Sequence, residues 1–268
     1  MSGAKVGSPP AAWPDALRGR ITHYYTRYYR DALGIPGWDA LVASRLDEES
    51  QEEAHLARVE ALLGRPVRGL DVLNLGCGTG GFNVVARRHG AQVCGVDAEW
   101  DAVAIAADKA RAAGGAVAAA AGEALPFRDA AFDLVHCFST IEHVASAATT
   151  IAEMLRVTRP GGAVYVHTPS ALACYEAHYK LFWLPRMPRA LARWYLGLRR
   201  RPAGFVDTLS LHTPGRLARL FRHAGARDVR EVPAAAVPRE TGSPLWPLIR
   251  AYYGLFRVTP TIELVARK

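Results

Sequence analysis

The sequence lacks several features that mark particular classes of protein. It contains no run of about 18 uninterrupted apolar residues, the length needed for a membrane-spanning helix. Its four cysteines form no Cys-x-x-Cys pair, which favours reduced packing residues over a zinc site or a disulfide framework. The first residues are interrupted by prolines and lack the apolar stretch of a secretory signal. We therefore expect a cytoplasmic protein.

Acidic residues are missing from one segment of an otherwise balanced chain. Between Lys180 and Arg201 there are seven basic residues and no acidic one, whereas the rest of the chain has 26 basic and 25 acidic residues. The net charge of +8 therefore belongs to this segment and is not spread over the protein. A nucleic-acid-binding protein needs many phosphate contacts along one surface, so we do not expect nucleic acid as a partner.

Glycines are concentrated where a strand pattern at 71–75 meets a helical pattern at 81–89. Without a Cβ, glycine adopts positive φ and lets a ligand lie against backbone N–H groups at a helix N-terminus. A second strand pattern ends at Asp97, where doubly wound folds place a carboxylate that binds a ribose diol. The two signals predict a nucleoside-containing cofactor. A nicotinamide or flavin enzyme remains an alternative, because the glycine spacing also matches the dinucleotide fingerprint.

Short apolar strands alternate with helices through the middle of the chain, as in a parallel sheet. The patterns predict strands at 71–75, 92–96, 116–120, 132–137 and 162–168, with helices near 81–89, 100–113 and 146–157. Later patterns predict a helix at 213–224 and strands at 226–232 and 260–266. The alanine run 116–120 is ambiguous by periodicity alone, and its position between two glycine-marked loops favours a strand.

Four stretches, in order, resemble the motifs of class I S-adenosylmethionine-dependent methyltransferases. They are 73–80 (the glycine turn), 121–127 (an adenine-side loop), 132–138 (the fourth strand) and 159–162 (the turn before the fifth strand). The resemblance implies an α/β fold with a doubly wound, Rossmann-like sheet of seven strands in the order 3-2-1-4-5-7-6, the last strand antiparallel. We expect a tail and helical cap at 1–65 and a methyltransferase domain at 66–268. This domain is expected to carry a helical lid insertion at about 171–211 and a second insertion at about 233–258.

The resemblance also implies S-adenosyl-L-methionine as cofactor and a set of residues that bind it. Asn74 stands where the family usually has a carboxylate, Glu123 where it more often has aspartate, and Ala124 would offer a backbone N–H to the adenine. The expected cofactor-binding residues are Asn74, Gly76, Cys77, Gly78, Gly80, Asp97, Ala98, Glu123, Ala124 and Phe138.

Candidate catalytic residues follow the fourth and fifth strands. Residues 138–144 resemble the Glu-His-Val segment of ubiquinone-biosynthesis-type O-methyltransferases, in which glutamates and a histidine can hold a metal. Ser139 replaces the first glutamate here, so we expect no metal and assign proton removal to His143; a purely structural histidine at a helix start is the alternative. Residues 175–179 resemble a stretch of small-molecule methyltransferases and make His178 a second candidate, with His167 a weaker one for acceptor contact.

We therefore expect a methyltransferase that acts on a small-molecule or lipid-like acceptor, at a hydroxyl oxygen, in secondary or lipid metabolism. A cofactor-binding cyclase of the same fold that transfers no methyl group and an RNA methyltransferase remain alternatives. The four tyrosines at 24, 25, 28 and 29 either pack on the sheet or cover the pocket. Leu191, Trp194, Tyr195 and Leu198 fall on one face of a basic lid helix, which suggests peripheral membrane contact. The oligomeric state is left open.

Overall fold

A single mixed sheet of seven strands forms the centre of the computed structural model, which describes residues 13–232 and 246–268. The strands are β1 (Asp71–Leu75), β2 (Gln92–Asp97), β3 (Ala116–Ala119), β4 (Phe132–Phe138), β5 (Thr158–Pro169), β8 (Asp228–Glu231) and β9 (Thr261–Arg267). Their order is β3-β2-β1-β4-β5-β9-β8. The first five strands are parallel, and β9 lies antiparallel to both β5 and β8. The predicted order and the antiparallel last strand are confirmed.

Helices cover both faces of this sheet, as a parallel sheet with buried strands requires. They are α3 (Glu48–Leu63), α4 (Gly81–Arg88), α5 (Trp100–Ala113), α6 (Ala147–Val157) and α8 (Pro214–His223). One core lies between the sheet and α6 and α8, and a second lies between the sheet and α3 and α4. The predicted alanine strand is β3, which pairs with β2 in parallel register.

The described part of the N-terminal segment is helical and packs over the sheet; the predicted tail at 1–12 lies outside the described residues. The helical cap consists of α1 (Asp15–Thr26), a π-helical turn (Arg27–Ala32) and α2 (Trp38–Arg45), followed by α3. Residues 171–211 form an insertion between β5 and α8. Its elements are a two-stranded hairpin of β6 (Tyr175–Glu176) and β7 (Leu181–Phe182), α7 (Arg189–Leu198) and a 3-10 turn (Gly204–Thr208). The insertion is therefore part hairpin, where the sequence predicted helix.

The cap and the insertion share one apolar core. Ile21 and Tyr29 of the cap are buried in the same cluster as Tyr179, Trp183 and Leu196 of the insertion. Both segments therefore pack together over the carboxyl ends of the strands. The predicted second insertion at 233–258 lies outside the described residues up to 245, and its remainder contains α9 (Trp246–Phe256). None of the helices in the described ranges is both long and apolar enough to cross a bilayer.

Candidate active site

A cavity of about 840 Å³ opens at the carboxyl ends of β1 to β5, beneath the cap. In open parallel sheets this is the edge where ligands bind, and pockets of several hundred Å³ accommodate small molecules. Seven of the predicted site residues line it: Gly76, Gly78, Asp97, Ala98, Glu123, His143 and His178. The fold therefore brings the expected cofactor side and the expected catalytic side to one cavity.

Two glycines of the turn after β1 serve different purposes. Gly76 has a φ of 72°, and a Cβ there would collide with the side chain of Thr140, which follows β4. Gly78 has a φ of 51°, and a Cβ there would meet nothing within 4 Å. Gly76 is thus required by the close packing of two strand ends. Gly78 leaves bare backbone facing open space, where a ligand can approach.

Asp97 ends β2 and holds the glycine turn. Its Oδ2 accepts a hydrogen bond from the Gly78 N–H at 2.8 Å, and its Oδ1 accepts one from the Glu99 N–H at 2.9 Å. Glu99 also lines the cavity, and its carboxylate accepts the hydroxyl of Tyr24 at 2.7 Å. Glu99 was not predicted as a site residue, although a second carboxylate two positions after Asp97 is a visible signal for polar contacts at this edge.

Glu123 lies in the loop after β3 and is already engaged with the protein. Its Oε1 accepts the backbone N–H of Ser146, the residue that caps α6. The carboxylate lines the cavity and ties the loop to the start of that helix. The expected N–H donor of Ala124 is not free, because it donates to the Ala121 carbonyl at 3.1 Å.

Five predicted cofactor residues do not line the cavity: Asn74, Cys77, Gly80, Ala124 and Phe138. A Cβ at Gly80 would press on Ala106 of α5, and Cys77 is buried. Phe138 stacks on His167 with ring centroids 4.4 Å apart. His167 likewise lies outside the cavity lining. Gly80, Cys77 and Phe138 thus pack near the strand ends and do not face the cavity.

Asn74 faces away from the cavity because alternate residues of a strand point to opposite sides of the sheet. Leu75 lines the cavity, so Asn74 points to the other face. Its Oδ1 lies 2.7 Å from Nδ1 of His136, and its Nδ2 donates to Oδ1 of Asn83 at 2.8 Å. Nε2 of His136 lies 2.8 Å from Nε2 of His55. We expected a cofactor contact at Asn74, and it instead joins a buried hydrogen-bond chain.

The catalytic candidates form a compact group on the other side of the cavity. His143 and His178 pack edge to face with centroids 5.2 Å apart. Nδ1 of His178 lies 2.7 Å from Oε1 of Glu176, a buried residue of the hairpin. Nε2 of His178 lies 3.9 Å from Oε1 of Glu142, which is also buried.

The surroundings of the two histidines shift their pKa values in opposite directions. Burial and the neighbouring His178 lower the pKa of His143 to about 4. Burial also lowers the pKa of His178, but the hydrogen bond and charge of Glu176 and the charge of Glu142 outweigh it, so the net shift is upward. His178 is therefore the stronger base of the pair.

The residues also fit a metal ion, which the sequence did not predict. Ligand atoms of Glu142, His143 and His178 lie within 4.8 Å of one another. Oε1 of Glu142 is buried without a hydrogen-bond partner, although Oε2 accepts the hydroxyl of Thr168 at 2.8 Å. An orphaned buried carboxylate oxygen is costly, and a cation would satisfy it. The sequence argument against a metal considered only the glutamate that Ser139 replaces. It did not include His178, which reaches the group from a distant segment of the chain.

The tyrosines of the cap cover the cavity, which supports the second of the two interpretations left open. Tyr24, Tyr25, Tyr28 and Tyr29 all line it. Tyr28 and the insertion residue Phe205 pack edge to face at 5.6 Å, and Phe205 also contacts the rings of His143 and His178. Aromatic side chains from the cap and the insertion thus enclose the cavity on the side opposite the sheet.

Comparisons with known proteins agree with this arrangement. Residues 73–166 match a family model described as a methyltransferase domain. A ubiquinone biosynthesis O-methyltransferase of Rhizobium rhizogenes is 37% identical over 130 residues, which cover 46% of this chain and 52% of that protein. The chain thus spans about half the length of this curated relative.

Solved structures resemble the chain in fold at low identity. A SAM-dependent methyltransferase of Thermotoga maritima aligns with a TM-score of 0.54 and 17% identity, covering 92% of this chain and 99% of that one. The cyclase SpnF aligns with a TM-score of 0.50 and 24% identity, covering 75% and 76%. The matched domain contains the glycine turn, Asp97 and Glu123 of the cavity. These matches identify residues 73–166 as a methyltransferase domain, and the chain shares its fold with S-adenosylmethionine-dependent methyltransferases, which makes S-adenosyl-L-methionine the cofactor.

Proposed function

We propose that this protein transfers a methyl group from S-adenosyl-L-methionine to a hydroxyl oxygen of a small-molecule or lipid-like acceptor. The observation that carries the proposal is that one cavity joins the glycine turn and Asp97 to the histidine pair of His143 and His178. The ubiquinone biosynthesis relatives support an oxygen acceptor. A role in secondary or lipid metabolism is part of the same proposal.

The cofactor side of the cavity is formed by Gly78, Asp97 and Glu123. The exposed backbone at Gly78 permits close approach, and the Asp97 carboxylate binds the ribose hydroxyls. Glu123 accepts from the adenine amino group. The cofactor supplies an electrophilic methyl carbon on a sulfonium, so the protein mainly has to position the acceptor, exclude water and remove a proton.

His178 is the residue best suited to take the acceptor's proton. Glu176 holds Nδ1, which leaves Nε2 directed towards Glu142 and the cavity. A carboxylate that binds one ring nitrogen fixes the tautomer and stabilises the imidazolium formed when the other nitrogen takes a proton. His143, with its pKa lowered to about 4, is a weaker base and positions the acceptor beside His178. We therefore assign the role of general base to His178, whereas the sequence had suggested His143.

A metal-assisted reaction is the second candidate, favoured by the orphaned oxygen of Glu142. Glu142, His143 and His178 would hold the ion. Mixed oxygen and imidazole ligands suit zinc, manganese or ferrous iron better than magnesium. A bound cation would lower the pKa of a coordinated hydroxyl.

The test uses the full chain, methyl-labelled cofactor and extract of the source cells, with the polar, lipid and RNA fractions counted separately. Label in the polar or lipid fraction, with equimolar S-adenosylhomocysteine, supports the proposal. Label in RNA favours the RNA methyltransferase. Cofactor binding with no S-adenosylhomocysteine released favours a cyclase that transfers no methyl group.

Variants and a chelator then separate the two routes. His178→Gln should lower kcat roughly 10²–10⁴-fold if it is a general base. The matched control is His89→Gln, since His89 also pairs with a glutamate, Glu53 at 2.8 Å, but lies outside the cavity. Activity that survives EDTA supports the histidine route. Loss in EDTA with recovery in Mn²⁺ or Zn²⁺, together with calorimetric metal binding that Glu142→Gln abolishes, supports the metal route.

Peripheral membrane contact through α7 is a further part of the proposal. Leu191, Trp194 and Leu198 recur on its outer face and are 39%, 65% and 67% exposed. Ala192 and Leu196 face inward and are buried. Tyr195 packs against the insertion rather than joining the outer face. An apolar stripe beside many arginines is typical of a helix that lies at a lipid interface.

A further inference from the structure

A second cavity of about 500 Å³ lies between the insertion and α8. None of the residues that line it lines the catalytic cavity. The two cavities are neighbours, because Val206 lines the second and the adjacent Phe205 lines the first. Likewise, Glu176 lines the second cavity, and His178, whose ring it binds, lines the first.

The floor of the second cavity is apolar. Trp183, Val206 and Leu209 line it and are only 5–6% exposed, and the side chain of Met187 adds a flexible apolar surface. Sites for small organic ligands combine such apolar surface with polar groups that fix the ligand's orientation. Nothing in the proposed methyl transfer uses these residues.

Four exposed arginines from three segments of the chain also line this cavity, and we call them its rim. They are Arg186 before α7, Arg189 at its first residue, and Arg216 and Arg219 on α8. Within the described parts of the chain, none of them forms an ion pair with a carboxylate; Arg189 donates to the Leu209 carbonyl at 3.1 Å. Four like charges at one rim repel each other, so an anion between them is attracted.

The acidic residue in the wall does not neutralise this rim. Glu176 is buried, and its two oxygens are already engaged by Nδ1 of His178 at 2.7 Å and by the Tyr179 N–H at 2.6 Å. The guanidiniums therefore remain available to bind a carboxylate or phosphate through charge-assisted, bidentate hydrogen bonds.

We propose that this second cavity is a binding site for a small amphiphilic anion. The carboxylate or phosphate group lies at the rim formed by Arg186, Arg189, Arg216 and Arg219, and the apolar body lies on Trp183 and Leu209. The site goes beyond the proposed methyl transfer, because its ligand touches no residue of the catalytic cavity. Its occupancy is measured by binding alone, so its failure and a failure of methyl transfer are distinguishable.

Calorimetry with octyl phosphate tests this, with inorganic phosphate and 1-octanol as partial ligands. We expect saturable binding of octyl phosphate and much weaker binding of either part alone. Arg216→Gln/Arg219→Gln should weaken binding about tenfold or more. Arg199→Gln/Arg200→Gln is the matched control, since it removes the same charge from exposed residues outside the cavity and should leave the affinity within about twofold.

Two further measurements guard the interpretation. Arg186→Gln/Arg189→Gln removes rim charges from a different element and should give the same loss, and unchanged cofactor affinity verifies that each variant is folded. Equal weakening by the control pair, or no saturable binding of octyl phosphate, overturns the proposal. A third result would also overturn the proposal: the protein binds phosphatidylglycerol vesicles through Arg216 and Arg219 but does not bind octyl phosphate. This result would indicate a surface contact with lipid headgroups.

Discussion

Replacing Lys109 with methionine removes an ammonium group that lies between two buried carboxylates. Its Nζ is 2.6 Å from Glu48 and 2.7 Å from Glu49, and the three side chains are 1%, 5% and 3% exposed. Glu48 also accepts the hydroxyl of Thr79, the residue that follows Gly78 in the glycine turn. Lys109 thus connects α5, the start of α3 and the glycine turn after β1.

The magnitude follows from burial. Removing one partner of a buried ionic group leaves uncompensated charge and typically destabilises by about 3–5 kcal/mol. Lys109→Met leaves two adjacent carboxylates with no cation between them, so we expect a loss in that range. Methionine fills nearly the same volume, which keeps packing losses small.

Urea unfolding provides the measurement, and the same helix provides the control. Arg111 pairs with Asp108 at 2.7 Å, but its side chain is 77% exposed. Arg111→Ala should cost about 0.5 kcal/mol or less, because surface pairs contribute little. Cofactor affinity should fall in Lys109→Met and not in Arg111→Ala, since only the former disturbs Thr79.

Neutralising the carboxylates should recover most of the lost stability. Glu48→Gln/Glu49→Gln added to Lys109→Met keeps oxygen acceptors for Thr79 and for the Trp13 indole N–H, which donates to Glu49 at 3.1 Å. The reasoning is refuted if Lys109→Met unfolds within about 1 kcal/mol of the parent, or if the triple variant is no more stable than the single one.

Three other changes have defined outcomes. Asp97→Ala should weaken cofactor binding by about 2–3 kcal/mol, roughly a hundredfold, in calorimetry. An affinity within threefold of the parent would contradict the role of Asp97 in binding. So would an equal loss in the surface control Asp101→Ala. Burial raises the pKa of Glu52 to about 7, so the folded state retains a proton that the unfolded state loses, and the unfolding free energy falls as pH rises from about 4.5 to 7. Glu52→Gln should flatten this decline in urea unfolding. An unchanged slope in the variant would show that Glu52 does not cause the decline. Trp194→Ser/Leu198→Ser should abolish flotation with phosphatidylglycerol vesicles without altering stability, and loss of flotation in Leu255→Ser, a 78% exposed control, would indicate general stickiness instead.

The sheet was predictable because its signals are local. Buried parallel strands are nearly continuous apolar runs, and glycine marks their ends, which sufficed even for the alanine strand Ala116–Ala119. The carboxylate at Asp97 was predictable for the same reason, as the first polar residue after a strand. The hairpin around Tyr175–Glu176 was missed, since two-residue strands carry almost no periodicity.

The proposed catalytic group was only partly predictable, because its members are distant in sequence. His143 and His178 were both identified, but burial and the neighbouring His178 lower the pKa of His143, whereas Glu176 helps to raise the pKa of His178, and the position of Glu176 requires the folded hairpin. The prediction for Asn74 transferred the role of the family's carboxylate without considering on which face of the strand the Asn74 side chain lies. Leu75 lies on the cavity side, so period two alone places Asn74 on the opposite face.

The buried chain that includes Asn74 has a fixed direction for its protons. The Nδ2 donor of Asn74 faces Asn83, so its Oδ1 must accept from Nδ1–H of His136. Nε2 of His136 is then bare and accepts from Nε2–H of His55. Each imidazole holds one proton in one tautomer, in agreement with the lowered pKa of both. A proton added to His136 would set two N–H groups against each other between α3 and β4, so acid would open the protein at this face of the sheet.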